Sequence, residues 1–240
     1  MILVLRRNNP SPDGDFLELL VSALSAAGYQ IQYVDTTRPH AVQLDVKFKS
    51  FAKLIRHQSI VGYLQKPWLK RFLTRSVKAV FLLVDPRNVL PFFKERRRNS
   101  NFPSPDYVRY LVEQINAEPV HLIAQSAGGI TAALVSSHPK VKSLLCIGYP
   151  LKYPNKKPQK YRTKPLQSIS APCLIVQGDK DEYGAISDIR KYKISNNVKF
   201  LEIMADHSYK NITDEDMAKV YQAVVQLIQR GDAPNSYPVC

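Results

Sequence analysis

Ser126 stands in Ala124-Gln125-Ser126-Ala127-Gly128, directly after the strand-forming run Val120-His121-Leu122-Ile123. Directly behind it comes Gly129-Ile130-Thr131-Ala132-Ala133-Leu134-Val135, which reads as a helix. A serine on a sharp strand-to-helix turn, with small residues on both sides, has the form of a nucleophile elbow. The turn strains the serine backbone, and a bulky side chain two residues away would collide with it, so glycine or alanine is needed there. The usual pattern is G-x-S-x-G; here the first glycine is Ala124. A serine hydroxyl is a poor nucleophile at neutral pH and needs a base within hydrogen-bond reach. His207, in Met204-Ala205-Asp206-His207-Ser208-Tyr209, is the candidate base. Asp181, in Gln177-Gly178-Asp179-Lys180-Asp181, is the candidate carboxylate to hold the imidazole tautomer. Asp179 and Glu182 compete for that role, and a serine at a helix start can also be a simple cap. His40, His57 and His138 lie in polar or basic surroundings and read as surface residues, whereas His121 reads as packed within its strand.

The elements that must position these groups alternate between strand and helix. Ile2–Leu5 is a short apolar strand; Phe16, Leu17, Leu19, Leu20, Leu24 and Ala27 mark a helix stopped by Gly28; Tyr29–Val34 alternates as a strand. A helix is expected from Pro105 to about Asn116, a strand over Val120–Ala124 and a helix to about Ser137. Further strands are expected over Val141–Ile147, Pro172–Gly178 and Val198–Met204. The stretch 149–170, rich in Pro, Lys and Tyr, reads as a loop, and Asp188–Lys193 as a short helix. Thr213 is placed to cap a final helix closed by Gly231. This order predicts one α/β domain over 1–240, with a mostly parallel central sheet and helices on both faces. Reactive groups in such a sheet gather beyond the carboxyl ends of the strands, where Ser126, Asp181 and His207 all fall.

The segment 46–105 interrupts the alternation and carries the charge. It holds fourteen lysines and arginines and two acids, Asp85 and Glu95, a net +12 of the chain's +14. Within it, 67–84 reads as an amphipathic helix, and Arg96-Arg97-Arg98 lies in an exposed loop. Such a field recruits anionic partners, so the segment reads as a basic insert, a lid or cap, or a peripheral contact with an anionic surface. Cys146, Cys173 and Cys240 are odd in number and far apart. They suggest neither a disulfide framework nor a metal site, and a reducing cytoplasm fits them. No apolar run is long enough to cross a bilayer, so no transmembrane segment is expected. No P-loop, G-x-G-x-x-G, H-E-x-x-H or paired C-x-x-C occurs, so neither cofactor nor metal is expected.

Three motifs together, the A-x-S-x-G elbow, the G-x-x-D at Gly178–Asp181 and the segment Asp206-His207-Ser208-Tyr209, resemble those of the α/β-hydrolase superfamily. Gly178–Gly184 with Asp206-His207-Ser208 is similar to small dienelactone-hydrolase-like members. The resemblance covers the alternating parts of the chain and leaves out 46–105. It implies an α/β-hydrolase fold with reduced N-terminal strands. It further implies a serine hydrolase that cleaves a small-molecule ester or thioester through Ser126, His207 and Asp181. The oxyanion hole would use the backbone N–H groups of Ala127 and Asn8. Arg6-Arg7 stand where most members have His-Gly, which keeps a backbone donor, removes glycine's freedom and places positive charge where an anionic substrate would approach. The alternative is a hydrolase-fold scaffold, weak or inactive in catalysis, that binds anionic lipid, nucleic acid or an acidic protein through the basic insert.

Overall fold

The described residues form the strands β1 (Ile2–Leu5), β2 (Ile31–Tyr33), β3 (Val120–Gln125), β4 (Val141–Ile147), β5 (Cys173–Gly178) and β6 (Val198–Ile203). They pair in parallel in one sheet of order β2-β1-β3-β4-β5-β6. The helices between them are α1 (Phe16–Ala26), α2 (Pro105–Gln114), α3 (Gly128–Val135), α4 (Lys160–Gln167), α5 (Ile186–Ile189) and α6 (Asp214–Asp232). The structure, a computed structural model, describes residues 1–5, 16–34, 103–116 and 119–232. All of them belong to one compact unit drawn from Met1–Thr36 and Asn101–Cys240. The basic insert up to residue 102, with its expected helix over 67–84, lies outside the described residues, as do Arg6, Arg7, Asn8 and Cys240.

Strand period sorts the core into two layers. Ile2, Val4, Ile123, Leu145, Ile147, Leu174 and Val176 pack with Leu17, Leu20 and Leu24 of α1 and Val220, Val224 and Ile228 of α6. Their strand neighbours Leu3, Leu5, Leu122, Ala124, Leu144, Cys146, Cys173 and Ile175 face the opposite layer, with Val108 and Val112 of α2, Ala132 and Val135 of α3 and Leu166 of α4. Burial on both faces is why these strands read as near-continuous apolar runs. Cys146 and Cys173 are buried free thiols, and burial holds the Cys173 thiol in its neutral form well above its ordinary range. Since β1 lies between β2 and β3, the chain changes direction across the sheet at the β1–β3 boundary. A crevice forms beyond the carboxyl ends at such a point, and β3 delivers Ser126 there.

The boundary signals act at three points. Gly28 has φ +91°, its N–H donates to Ser25 O at 3.0 Å, and that of Tyr29 donates to Leu24 O at 3.1 Å, so α1 ends as expected. Ser104 Oγ accepts the Tyr107 N–H at the start of α2, and Thr213 Oγ1 accepts the Asp216 N–H at 3.1 Å at the start of α6.

Three expectations are corrected. The stretch 149–170 is not all loop: it contains α4, which buries Arg162, Thr163, Pro165 and Leu166. Its inward face carries one large aliphatic residue, Leu166, too little for a visible period. The helix expected over Asp188–Lys193 lies a turn earlier, because Ile186 and Ile189 are the residues that bury, while Lys191 and Lys193 stay exposed. Gly231 does not close α6 but lies inside it: a Cβ there would stand 2.7 Å from the Lys142 carbonyl oxygen, so the glycine lets the helix approach β4. Among the described residues no helix is long and apolar enough to cross a membrane.

Candidate active site

β3 ends on the elbow. Ser126 has φ +51°, a conformation that costs a non-glycine residue on the order of 1–3 kcal/mol unless its surroundings fix it. They do so on both sides: the Ser126 N–H donates to Ile147 O at 2.8 Å, and Ser126 O accepts the Gly129 N–H at 2.9 Å. A Cβ on Gly128 would stand 2.7 Å from Leu5 O, so the glycine allows α3 to begin against the end of β1. Ala124 is fully buried in the helix-packed sheet face, where its small side chain fits. Ala127 takes the N-cap position of α3 and is half-buried.

The loops after β5 and β6 bring the other two residues to this turn. Ser126 Oγ lies 2.9 Å from His207 Nε2. His207 Nδ1 lies 3.0 Å and 2.8 Å from the two Asp181 carboxylate oxygens. The Asp181 side chain is fully buried, while that of His207 is 16% exposed. With Asp181 accepting Nδ1–H, the lone pair of Nε2 faces the serine hydroxyl. The Tyr183 ring covers the imidazole, with centroids 4.1 Å apart.

The competing residues are placed elsewhere. The Asp179 carboxylate accepts the Ala205 N–H at 3.0 Å, and Glu182 is exposed. Gly178 explains the first position of G-x-x-D: a Cβ there would collide with the Ala205 carbonyl oxygen, and through this contact the two loops meet. Asp206 accepts hydrogen bonds from the Ser208 hydroxyl and N–H, which hold its carboxyl below the usual range. Tyr209, two residues past His207 and at φ +55°, is buried; its hydroxyl donates to Val176 O and accepts the Gly178 N–H. Burial raises that phenol far above its ordinary range, so it stays neutral. Asn8 is outside the described residues.

Two residues at this site carry no catalytic motif. Gln177, fully buried, donates from Nε2 to Asp181 Oδ2 at 2.8 Å, and the Tyr183 N–H donates to Oδ1 at 2.8 Å. The signal for Gln177 is a lone amide directly after the apolar run Cys173–Val176, since a buried amide must find partners.

His121 is buried as read, and it has polar partners. Its Nδ1 lies 2.8 Å from Ser143 Oγ and its Nε2 3.1 Å from Asp232 Oδ1. Burial lowers its pKa below the ordinary value, with Asp232 opposing the shift. This second set lies near the amino end of β3.

An open parallel sheet with a positive-φ serine at its switch point defines the α/β-hydrolase class. Residues 94–230 match the family model described as an alpha/beta hydrolase domain, and the chain belongs to this family. A solved putative hydrolase of the alpha/beta superfamily from Xanthomonas campestris pv. campestris is 18% identical, with 95% of this chain and 96% of that one covered at a TM-score of 0.47. An esterase from Pyrococcus furiosus is 14% identical over 52% of this chain, at a TM-score of 0.42. The esterase domain of a Rhodothermus marinus protein is 18% identical over 51%, at a TM-score of 0.40. The matched part of the chain spans 59% and 65% of these last two proteins. A comparison with curated proteins finds no match.

Proposed function

We propose that this protein is a serine hydrolase that cleaves a carboxylic ester or thioester. The observation that carries the reading is the 2.9 Å approach of Ser126 Oγ, on its strained turn, to the histidine nitrogen opposite the one facing buried Asp181. Ser126 Oγ attacks the acyl carbon while His207 Nε2 takes its proton. Asp181 stays ionised and stabilises the imidazolium that forms. The carbonyl oxygen becomes an oxyanion held by the Ala127 N–H and, in this reading, the Asn8 N–H; each such donor is worth about 3 kcal/mol. Collapse breaks the bond to the leaving group, which departs with the proton from His207. Water then attacks the acyl-serine, giving its proton to Nε2, and the acid leaves as the proton returns to Oγ.

An anionic substrate fits the charge of the described chain. Gly148 to Gly178 carries six lysines and arginines and no acid, and this stretch leaves the carboxyl end of β4 beside His207. The experiment for the nucleophile is labelling with a fluorophosphonate and hydrolysis of a short p-nitrophenyl ester. Wild-type protein should react in both, and Ser126→Ala in neither; unchanged labelling of the alanine variant sinks the assignment.

A further inference from the structure

We propose that Gln177 is a positioning residue for the Asp181–His207 pair, acting through the Asp181 carboxylate; the inference rests on the reading of Ser126, His207 and Asp181 as the reacting groups. Gln177 is the next-to-last residue of β5 and has no exposed surface. Its Oε1 accepts the Tyr149 N–H at 2.9 Å. Its Nε2 donates to Gly184 O at 2.7 Å and to Asp181 Oδ2 at 2.8 Å, with Tyr149 O at 3.5 Å. The partners fix the amide orientation. A flipped amide would set two donors against each other at Tyr149 and two acceptors against each other at Gly184.

The carboxylate is thereby pinned at both oxygens. Oδ2 is held by the Gln177 amide and Oδ1 by the Tyr183 N–H, and His207 Nδ1 occupies the direction between them. Of these three donors, two are side chains, and one of those is His207 itself. Gln177 is therefore the donor that can be removed without moving backbone. Through Tyr149 it also ties Asp181 to the loop after β4, whose Gly148 packs against the His207 ring. A carboxylate free to rotate would hold the Nδ1–H tautomer less firmly, and the Nε2 lone pair would face Ser126 for less of the time.

The test uses Gln177→Met, of similar length with no donor and only a weak thioether acceptor, and Gln177→Glu. The glutamate keeps the shape and the acceptor for Tyr149 but turns an oxygen toward Asp181. For the p-nitrophenyl ester, kcat should fall about 10- to 100-fold while KM stays within about threefold, because positioning is lost and binding is not. The downfield proton resonance of the His207 Nδ1–H bond to Asp181 should shift or broaden away in the same variants. If one variant fails to fold, the other carries both readouts. A folded variant with an unmoved Nδ1–H resonance and a kcat within about twofold of wild type overturns the proposal. The resonance needs no turnover. Absence of fluorophosphonate labelling in wild type would thus remove the hydrolase reading, while the resonance still decides whether Gln177 sets the pair.

Discussion

Asp181→Asn separates a working hydrogen-bond relay from a chance cluster. Three donors point at the Asp181 carboxylate: Gln177 Nε2 at Oδ2, the Tyr183 N–H at Oδ1 and His207 Nδ1 between them. Asparagine offers one oxygen where the carboxylate offers two. If its amide nitrogen replaces Oδ1 it meets the Tyr183 N–H, which cannot turn away. If it replaces Oδ2 it meets Gln177, whose flip would forfeit the bonds to Tyr149 and Gly184. Where His207 faces the new NH2 group, Nδ1 must accept and Nε2 carries the proton, so Ser126 loses its base. The expected loss in kcat is about 10⁴-fold, the scale for an amide replacing this carboxylate. That corresponds to about 5.5 kcal/mol of barrier. A buried donor left without an acceptor removes about 1–3 kcal/mol of stability as well, read from the urea midpoint. The assay is steady-state hydrolysis of the p-nitrophenyl ester, with Asp179→Asn beside it. The exposed Asp179 carboxylate accepts only from Ala205 among the described residues, so its amide variant should keep kcat within about threefold. An Asp181→Asn enzyme within about tenfold of wild type refutes the reasoning.

Two further outcomes follow from charge. Burial keeps His121 neutral in the fold, with its pKa below the ordinary 6.5, while the unfolded chain protonates at the ordinary value. The unfolded state therefore binds the extra proton first, so the stability His121 contributes is full above pH 6.5 and is lost as pH falls below it. The slope from one such group is at most about 1.4 kcal/mol per pH unit. His121→Gln should remove that part of the slope in urea unfolding across pH, and parallel curves for the two proteins would contradict the account. The substrate charge is read by salt: KM for an ester bearing a free carboxylate should rise with ionic strength while KM for its neutral analogue does not. An equal response of the two would discard the anionic substrate.

What the chain shows on its face divides by the range of the interactions involved. The strands β1, β3, β4 and β5 read directly from sequence because both of their faces are buried, the half-exposed edge strand β2 reads by alternation, and the Ser126 turn reads because its small residues answer a local backbone constraint. α4 was hidden because its inward face uses Arg162, Thr163 and Pro165, and Arg162 buries through hydrogen bonds with Tyr149, Pro150 and Tyr161 that no periodicity expresses. Gly231 misled because a glycine near a helix end has two explanations, a stop and a close approach, and only the Lys142 carbonyl at 2.7 Å decides between them. Gln177 was visible as an anomaly, a polar residue in a buried run, yet its partners Asp181, Gly184 and Tyr149 come from two different loops.

The strand that delivers Ser126 also contributes His121 to a second set of the same three residue types, with Ser143 from β4 and Asp232 from α6. Ser143 Oγ, His121 and Asp232 are spaced at 2.8 Å and 3.1 Å, comparable with the set at Ser126. The exposures run the other way. In the second set the serine is 1% exposed and the histidine 3%, while the Asp232 side chain is 43% exposed. A nucleophile must be reached by its acyl carbon, and the carboxylate behind the histidine works best out of water, where the imidazolium it stabilises cannot be screened. The Asp181 side chain is fully buried and that of His207 16% exposed, which fits the roles proposed for them. Ser143 also lies within β4, just past a shift in its register with β3 and without a positive φ, whereas Ser126 stands at φ +51° beyond the end of β3. Residue types and spacing are thus shared by both sets; what separates the proposed relay at Ser126 from the other is its more open serine end and its closed carboxylate end.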